Sequence, residues 1–256
     1  NLAFSGVPVT AFADDQTWCG LRDELGDSGV GFDATFGVSD GDTTSVCCRL
    51  VTEAGHSVDP RVLAQFEDRD RRFIRTYQYE RNASVSTNAH ALEALHLMSE
   101  YPDREVVREE IALMLLDQRA YNAYWTDKWH TSPYYATSHA MVALLREGEH
   151  LVHACQTTID WLVHTQRADG SWGFFDRGTQ EETAYALTAL IHYARTHDLP
   201  AEPIHRGATY LAQAHEGNRP YPPLWIVKCL YMPHDIVRSA ILAALVLYEQ
   251  TFGRSI

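Results

Sequence analysis

Asn88–Leu95 reads NAHALEAL, an octad whose small and apolar residues occupy most sides of a helix. The same register recurs in Thr43–Leu50 (TTSVCCRL), Thr137–Leu144 (TSHAMVAL), Thr183–Leu190 (TAYALTAL) and Arg238–Leu245 (RSAILAAL). Successive starts lie 45, 49, 46 and 55 residues apart, a period that marks a repeat of supersecondary units. Each octad follows a more amphipathic segment: Thr17–Leu25, Arg61–Arg72, Arg104–Gln118, Leu151–Gln166 and Ile204–His215. The unit is therefore a helix hairpin. Charged stripes such as Arg104, Glu105, Arg108 and Glu109 put the preceding helices outside, and the octads suit helices enclosed on both faces. Five hairpins predict an all-α fold, a double-ring α/α barrel of ten helices in one domain over residues 1–256. A closed double ring of six hairpins needs twelve, so about one hairpin is missing. Periodicity alone also fits an α-solenoid that binds partners.

The composition agrees with a packed protein: 45% hydrophobic, 11% aromatic and 21% charged over 256 residues. A net charge of −13 repels a phosphate backbone and argues against nucleic acid as a partner. Five cysteines without a CxxC pair argue against a disulfide framework and against structural zinc, and place the protein in a reducing, cytoplasmic setting. The longest apolar stretch, Ser239–Tyr248, is half of the roughly 20 residues that cross a bilayer, so no membrane span is expected. The chain opens on Asn1 rather than Met, and is expected to be part of something longer.

Asp40-Gly41-Asp42-Thr43-Thr44 runs directly into the first octad. One aspartate suffices as a helix cap. The second is free to point inward, where desolvation holds a carboxyl protonated and makes it a general acid. A dry acid suits an electron-rich alkene, and that protonation yields a carbocation, which aromatic faces stabilise by roughly 1–2 kcal/mol each. Aromatic candidates near the octad starts are Trp129, Tyr134, Tyr135, Trp172 and Phe174, with Phe175, Tyr185, Tyr221 and Trp225. His90, third in its octad, lies at the same depth as Asp42 in the neighbouring inner helix, close enough to orient an acid there, with Asn88 beside it.

These motifs resemble the class II terpene cyclases, the family of squalene–hopene cyclase and the bacterial copalyl and drimenyl diphosphate synthases. DGDTT is similar to the family's acid motif, whose middle aspartate donates the initiating proton, which implies that role for Asp42 with Asp40 in support. STNAHALEAL resembles the helix supplying the histidine bonded to the acid, here His90. DKWHTSPYYATSHA resembles the segment that places a Trp and a Tyr in the cavity, here Trp129 and Tyr135. QRADGSWGFF is similar to the glutamine–tryptophan repeat of these barrels, with Gln166, Gly170 and Trp172 in its positions. The resemblance runs over Gly29–Tyr248 and implies the family's β barrel alone, without its γ barrel and N-terminal helix, and with a γ domain as a partner elsewhere in the protein.

The family usually has a further aspartate where this chain has Thr43, a form resembling that of drimane-type sesquiterpene cyclases. The expected reaction is therefore cyclisation of farnesyl diphosphate to drimenyl diphosphate with the diphosphate retained. Geranylgeranyl diphosphate giving a copalyl-type product is the alternative. A prenyltransferase β-like subunit or a non-catalytic barrel are readings of another class. Thr43, Thr44, Asn88, Trp129, Tyr135, Trp172, Phe174 and Tyr185 are expected to contact substrate, and Lys228 and Arg238 to meet its diphosphate. Asp14-Asp15 is only the opening pair of a class I magnesium cluster and reads as helix capping. Magnesium is allowed for beside the diphosphate, without dedicated ligands. His150, His153 and Cys155 mimic a metal site, but zinc is not expected.

Overall fold

The computed structural model describes residues 1–33, 35, 37–215 and 221–253. The Pro-, Gly- and aromatic-bearing stretch 218–225 is expected from its sequence to connect the last two helices, and residues 218–220 of it lie outside the described residues. The chain divides into two compact units, Pro8–Gln118 and Asn1–Val7 with Arg119–Ile256.

The Pro8–Gln118 unit contains α1 (Asp15–Leu25), α2 (Gly41–Glu53), α3 (Arg61–Ala64), the strands β1 (Glu67–Asp68) and β2 (Phe73–Ile74), α4 (Val85–Leu97) and α5 (Arg104–Asp117). Asp14, Asp40 and Ser84 cap α1, α2 and α4 through amides three residues on. The octad helix α4 is buried without a break from Val85 to Leu95 and packs against α2. Between them, Arg49 Nη1 donates to Glu93 Oε2 at 2.9 Å, with both side chains almost wholly buried. In α5 only Val107, Ile111, Ala112 and Leu115 are buried, one stripe of an outer helix.

One expected outer helix fails here. Arg61–Arg72 gives only the single turn of α3 before an antiparallel hairpin in which Glu67 opposes Ile74 and Asp68 opposes Phe73. The Asp68 carboxylate takes the amides of Asp70 and Arg71, both at 3.2 Å, and Arg72 has φ 54°. A side chain that captures local amides competes with the helix ladder and turns the chain.

The second unit contains α6 (Pro133–Leu144), α7 (Glu149–Ala154), α8 (Gln156–His164), α9 (Gln180–Ala194), α10 (Ala201–His215), the two-residue strands β3 (Trp225–Ile226) and β4 (Leu230–Tyr231), and α11 (His234–Phe252). All twelve residues of α6 are buried, as are Glu181–Ile191 of α9. The last octad departs from this, since Leu242 and Arg238 of α11 are exposed. The expected helix Leu151–Gln166 is interrupted at Cys155 (φ −92°, ψ 5°), where Arg119 Nη1 takes the Ala154 carbonyl at 2.6 Å. That interruption gives eleven α-helices among the described residues instead of ten. The N-terminal residues join this unit: Asn1 Nδ2 donates to Ile236 O at 3.1 Å, and His192 Nε2 donates to Phe4 O at 3.0 Å.

The glutamine–tryptophan stretch ties α8 and α10 together. Gln166 Nε2 donates to Gly170 O at 3.0 Å and Pro203 O at 2.8 Å. Trp172 is wholly buried, donates from Nε1 to Leu162 O at 2.7 Å, and lies so close to Gly207 that a Cβ there would sit 2.6 Å from its ring. No helix among the described residues is long and apolar enough to cross a membrane. All five cysteines are free.

Candidate active site

The two aspartates of DGDTT take different tasks. Asp40 is buried and saturated: Oδ1 accepts the Thr43 amide at 2.6 Å, and Oδ2 accepts the Phe32 amide at 2.8 Å and the Thr43 hydroxyl at 3.1 Å. Burial, with Asp42 nearby, lifts the Asp40 carboxyl above the usual range against the pull of these donors. It is a helix cap. Asp42, in the first turn of α2, is not used for capping. Its Oδ1 lies 2.8 Å from His90 Nδ1, and its Oδ2 has no hydrogen-bond partner among the described residues. The Asp42 side chain is 29% exposed within this structure and that of His90 9%, so the acid is only partly sheltered and its histidine is buried. The pair comes from α2 and α4, the two octad helices that the Arg49–Glu93 bridge holds together.

Gly41 is required by what surrounds it. A Cβ there would lie 2.1 Å from the Arg75 carbonyl oxygen, and its amide donates to Thr76 O at 2.8 Å. Glycine at this point lets the segment after β2 press against the start of α2.

Three expected substrate contacts prove to be committed elsewhere. Thr43 gives its hydroxyl to Asp40. The Thr44 hydroxyl accepts from Val30 N at 3.1 Å and donates to Val30 O at 3.0 Å, wholly buried. Asn88 clamps β2: Oδ1 accepts the Ile74 amide at 2.9 Å, while Nδ2 donates to Ile74 O at 3.0 Å and Ser84 O at 2.8 Å. These bonds tie the three side chains to the segments around the acid.

The aromatic candidates also separate. In the second unit, Tyr135 meets Tyr185 edge-on at 5.3 Å and Trp225 at 4.9 Å, and stacks with His130 at 5.0 Å. Burial and the neighbouring Glu181 carboxylate push the Tyr185 phenol well above its usual range. Trp129 is half-buried and holds β3 through its carbonyl, which accepts the Ile226 amide at 2.9 Å. Outside this cluster, Trp172 belongs to the interhelical core, Tyr134 stacks on Trp161, and Phe174 is 50% exposed against Phe175.

Two acids at the start of α9, Glu181 and Glu182, escaped the sequence reading. Glu182 is saturated, accepting from the Ser132 hydroxyl at 2.6 Å, the Phe174 amide at 2.9 Å and the Thr179 hydroxyl at 2.8 Å. Glu181, also wholly buried, accepts from Trp225 Nε1 at 2.7 Å and lies 3.3 Å from His130 Nε2. The adjacent acids opening an octad were the available signal, as at Asp40 and Asp42.

Lys228 is exposed in the β3–β4 turn. Arg238 is exposed on α11 beside a groove of about 370 Å³ lined by Leu2, Tyr221, Ile241, Leu242 and Leu245 with Asp235 and Ser239. Arg238 itself lines this groove, whose remaining wall is apolar apart from Asp235 and Ser239. His150 and His153 face solvent whereas Cys155 is wholly buried, so these three do not converge. Asp15, Cys19 and His56 do come together, with His56 Nε2 3.1 Å from Asp15 Oδ1. Thiol and imidazole donors do not suit magnesium, which takes oxygen ligands.

A helical fold with this acid–histidine pair defines a terpene cyclase domain of the protonating class, and comparison with known proteins agrees. Residues 80–222 match the squalene-hopene cyclase C-terminal domain family. The chain belongs to that family, within the class II terpene cyclases. It is 40% identical over 226 residues to a type B diterpene cyclase of Mycobacterium tuberculosis, covering 87% of this chain and 44% of that protein. It is 34% identical to a copalyl diphosphate synthase of Streptomyces anulatus, covering 95% of this chain and 44% of that protein. The solved ent-copalyl diphosphate synthase from Streptomyces platensis superposes with a TM-score of 0.83 at 36% identity, over 96% of this chain and 48% of that one. The all-α fold of α/α-barrel type expected from the octads is the fold class of these relatives. The chain spans a little under half the length of the curated relatives it matches.

Proposed function

We propose that this chain carries the proton donor of a class II cyclase that converts geranylgeranyl diphosphate to a copalyl-type diphosphate, with a γ domain elsewhere in the protein. The observation that carries the reading is the Asp42–His90 pair, with one carboxyl oxygen held at 2.8 Å and the other unengaged among the described residues. In the reaction, the proton on the free oxygen passes to the terminal alkene carbon and leaves a tertiary cation. Two internal alkenes attack in turn, closing two fused rings, and loss of a proton discharges the final carbocation and leaves an alkene. The diphosphate stays attached throughout. His90 fixes the direction of the acid and its hydrogen bond supports the carboxylate left after transfer.

The substrate reading moves from farnesyl to geranylgeranyl diphosphate for two reasons. The expectation of a farnesyl chain rested on Thr43, whose hydroxyl serves the Asp40 cap. The relatives are named for diterpene and copalyl products. Incubating the intact protein with each diphosphate and identifying the dephosphorylated products by mass spectrometry tests the proposal. A bicyclic C20 alcohol is expected from the longer substrate. A bicyclic product from farnesyl diphosphate alone, or none from either, would overturn it. His90→Ala is expected to lower turnover strongly while leaving substrate binding in place, and an unchanged rate would remove His90 from the mechanism.

A further inference from the structure

The first helix brings three unlike metal-binding side chains together within the Pro8–Gln118 unit. Asp14 caps α1: its Oδ1 accepts the Thr17 amide at 2.9 Å and the Thr17 hydroxyl at 2.6 Å. Asp15 is left over from that task. One turn on, Cys19 stands on the same face of α1, since residues four apart in a helix are neighbours. The third residue, His56, follows α2. Gly55, at φ 95°, closes that helix, its amide donating to Thr52 O at 3.0 Å and the His56 amide to Val51 O at 3.1 Å. This stop fixes the His56 backbone at the end of α2, which packs on α1.

Cys19 Sγ lies 3.9 Å from Asp15 Oδ2, and His56 Nε2 lies 3.1 Å from Asp15 Oδ1. With one donor atom taken from each residue, the three fall within 4.8 Å of one another. Around a tetrahedral zinc ion, whose bonds are about 2.0–2.3 Å long, neighbouring donors sit roughly 3.3–3.6 Å apart. Small side-chain adjustments therefore suffice. His56 Nε2 is enclosed and makes no hydrogen bond among the described residues, although a carboxyl oxygen stands at 3.1 Å. The two atoms are close without being aligned on each other, as ligands of a shared ion are. An enclosed ring nitrogen without a hydrogen bond costs stability, which a bond to a metal recovers. The His56 side chain is 16% exposed and that of Asp15 85%, so the nitrogen is sheltered while the carboxylate leaves a way in from water.

We propose that Asp15, Cys19 and His56 form a zinc site that clips α1 to the end of α2, with water in the fourth position. Sulfur, imidazole nitrogen and carboxylate oxygen together suit a borderline ion such as zinc, whereas magnesium and calcium take oxygen ligands. As the zinc–sulfur bond forms, the Cys19 thiol proton passes to solvent, and no electron is transferred. The sequence alone does not lead to zinc, because these donors form no CxxC pattern and only the fold brings His56 to α1. The site lies at the opposite end of α2 from Asp42 and is independent of the proposed cyclisation.

The test uses the intact protein, stripped with a chelator and titrated with zinc(II), and with cobalt(II) as a coloured substitute. In wild type, cobalt is expected to give a thiolate-to-metal charge-transfer band and the intense visible bands of a four-coordinate ion, and zinc to displace it and raise Tm. Cys19→Ser, nearly the same size, is expected to lose the charge-transfer band, the zinc-dependent rise in Tm and at least about tenfold in zinc affinity, a loss typical even of residues that only support a ligand. His56→Gln is expected to lose affinity to a similar extent. Cys229→Ser, which removes the exposed cysteine, is expected to change none of these. Retention of band and affinity in Cys19→Ser, their loss in Cys229→Ser, or no zinc binding by wild type would overturn the assignment. Should Cys19→Ser not fold, Asp15→Asn, at an exposed side chain, carries the test with the same expected loss of about tenfold; unchanged affinity there overturns it equally. Turnover of a prenyl diphosphate enters none of these readouts, so failure here is distinct from failure of the proposed function.

Discussion

Replacing Gly41 with alanine is predicted to destabilise the protein, although helix propensity alone predicts the reverse. Gly41 is the first residue of α2 and is absent from the positive-φ positions, so alanine could adopt its backbone and would be favoured by roughly 1 kcal/mol. The added methyl, however, would lie 2.1 Å from Arg75 O and 3.0 Å from Ile74 Cγ2. Non-bonded heavy atoms settle near roughly 3.5 Å, so α2 and the segment after β2 must part by about 1 Å or more. That movement lengthens the 2.8 Å bond from Gly41 N to Thr76 O and carries Asp42 from its 2.8 Å contact towards the limit of hydrogen bonding with His90. Overpacking of this kind costs about 1–3 kcal/mol, which lowers Tm by about 3–10 °C in a protein of this size. A displacement of about 1 Å at the acid lowers turnover by about 100-fold. Thermal unfolding and initial rates on geranylgeranyl diphosphate measure both. A variant with wild-type or higher Tm and normal turnover would refute the close-approach argument.

Three further outcomes are expected. Arg49→Ala leaves Glu93 buried without its partner and costs about 3–5 kcal/mol in chemical denaturation, most of which an Arg49→Met/Glu93→Leu double variant restores; a single variant as stable as wild type contradicts the pairing. Trp172→Ala removes a wholly buried indole and its bond to Leu162 O, lowering stability by about 3–5 kcal/mol, and a loss below about 1 kcal/mol would show that α8 and α10 do not depend on it. Burial alone would raise the Asp68 carboxyl, but the Arg75 guanidinium at 2.7 Å and the Asp70 and Arg71 amides outweigh it and hold it below the usual range. A carboxyl lowered by folding contributes stability that is present above its unfolded value, near pH 4, and lost as pH falls through the folded value. The stability difference between wild type and Asp68→Asn should therefore shrink from about pH 5 towards pH 3, and a constant difference would deny the ion pair this role.

What could be read from sequence followed from residue size and period. NAHALEAL and TAYALTAL have nothing that needs water on most sides, and α4 and α9 are buried accordingly. The division of labour in DGDTT was legible because a helix start needs one cap and there were two acids. Arg61–Arg72 misled because its apolar positions keep helical spacing, whereas Asp68 bonding to its own neighbours' amides ends the helix. The interruption at Cys155 has its adjoining carbonyl taken by Arg119, 36 positions before Cys155, a partner no local pattern foretells. Asn88 and Thr44 looked available for substrate because their partners, the backbone of Ile74 and Val30, leave no mark in sequence. Glu181 was missed because paired acids at a helix start pass for ordinary capping until one of them proves to be saturated.

In the proposed reaction the Asp42 carboxyl starts cyclisation by giving up its proton. Asp42→Asn keeps the size of the side chain and removes that proton donor. Measured with geranylgeranyl diphosphate against wild type at equal, verified Tm, it is predicted to form at least about 1000-fold less cyclised product. Product formed by the folded Asp42→Asn protein at the wild-type rate would contradict the account.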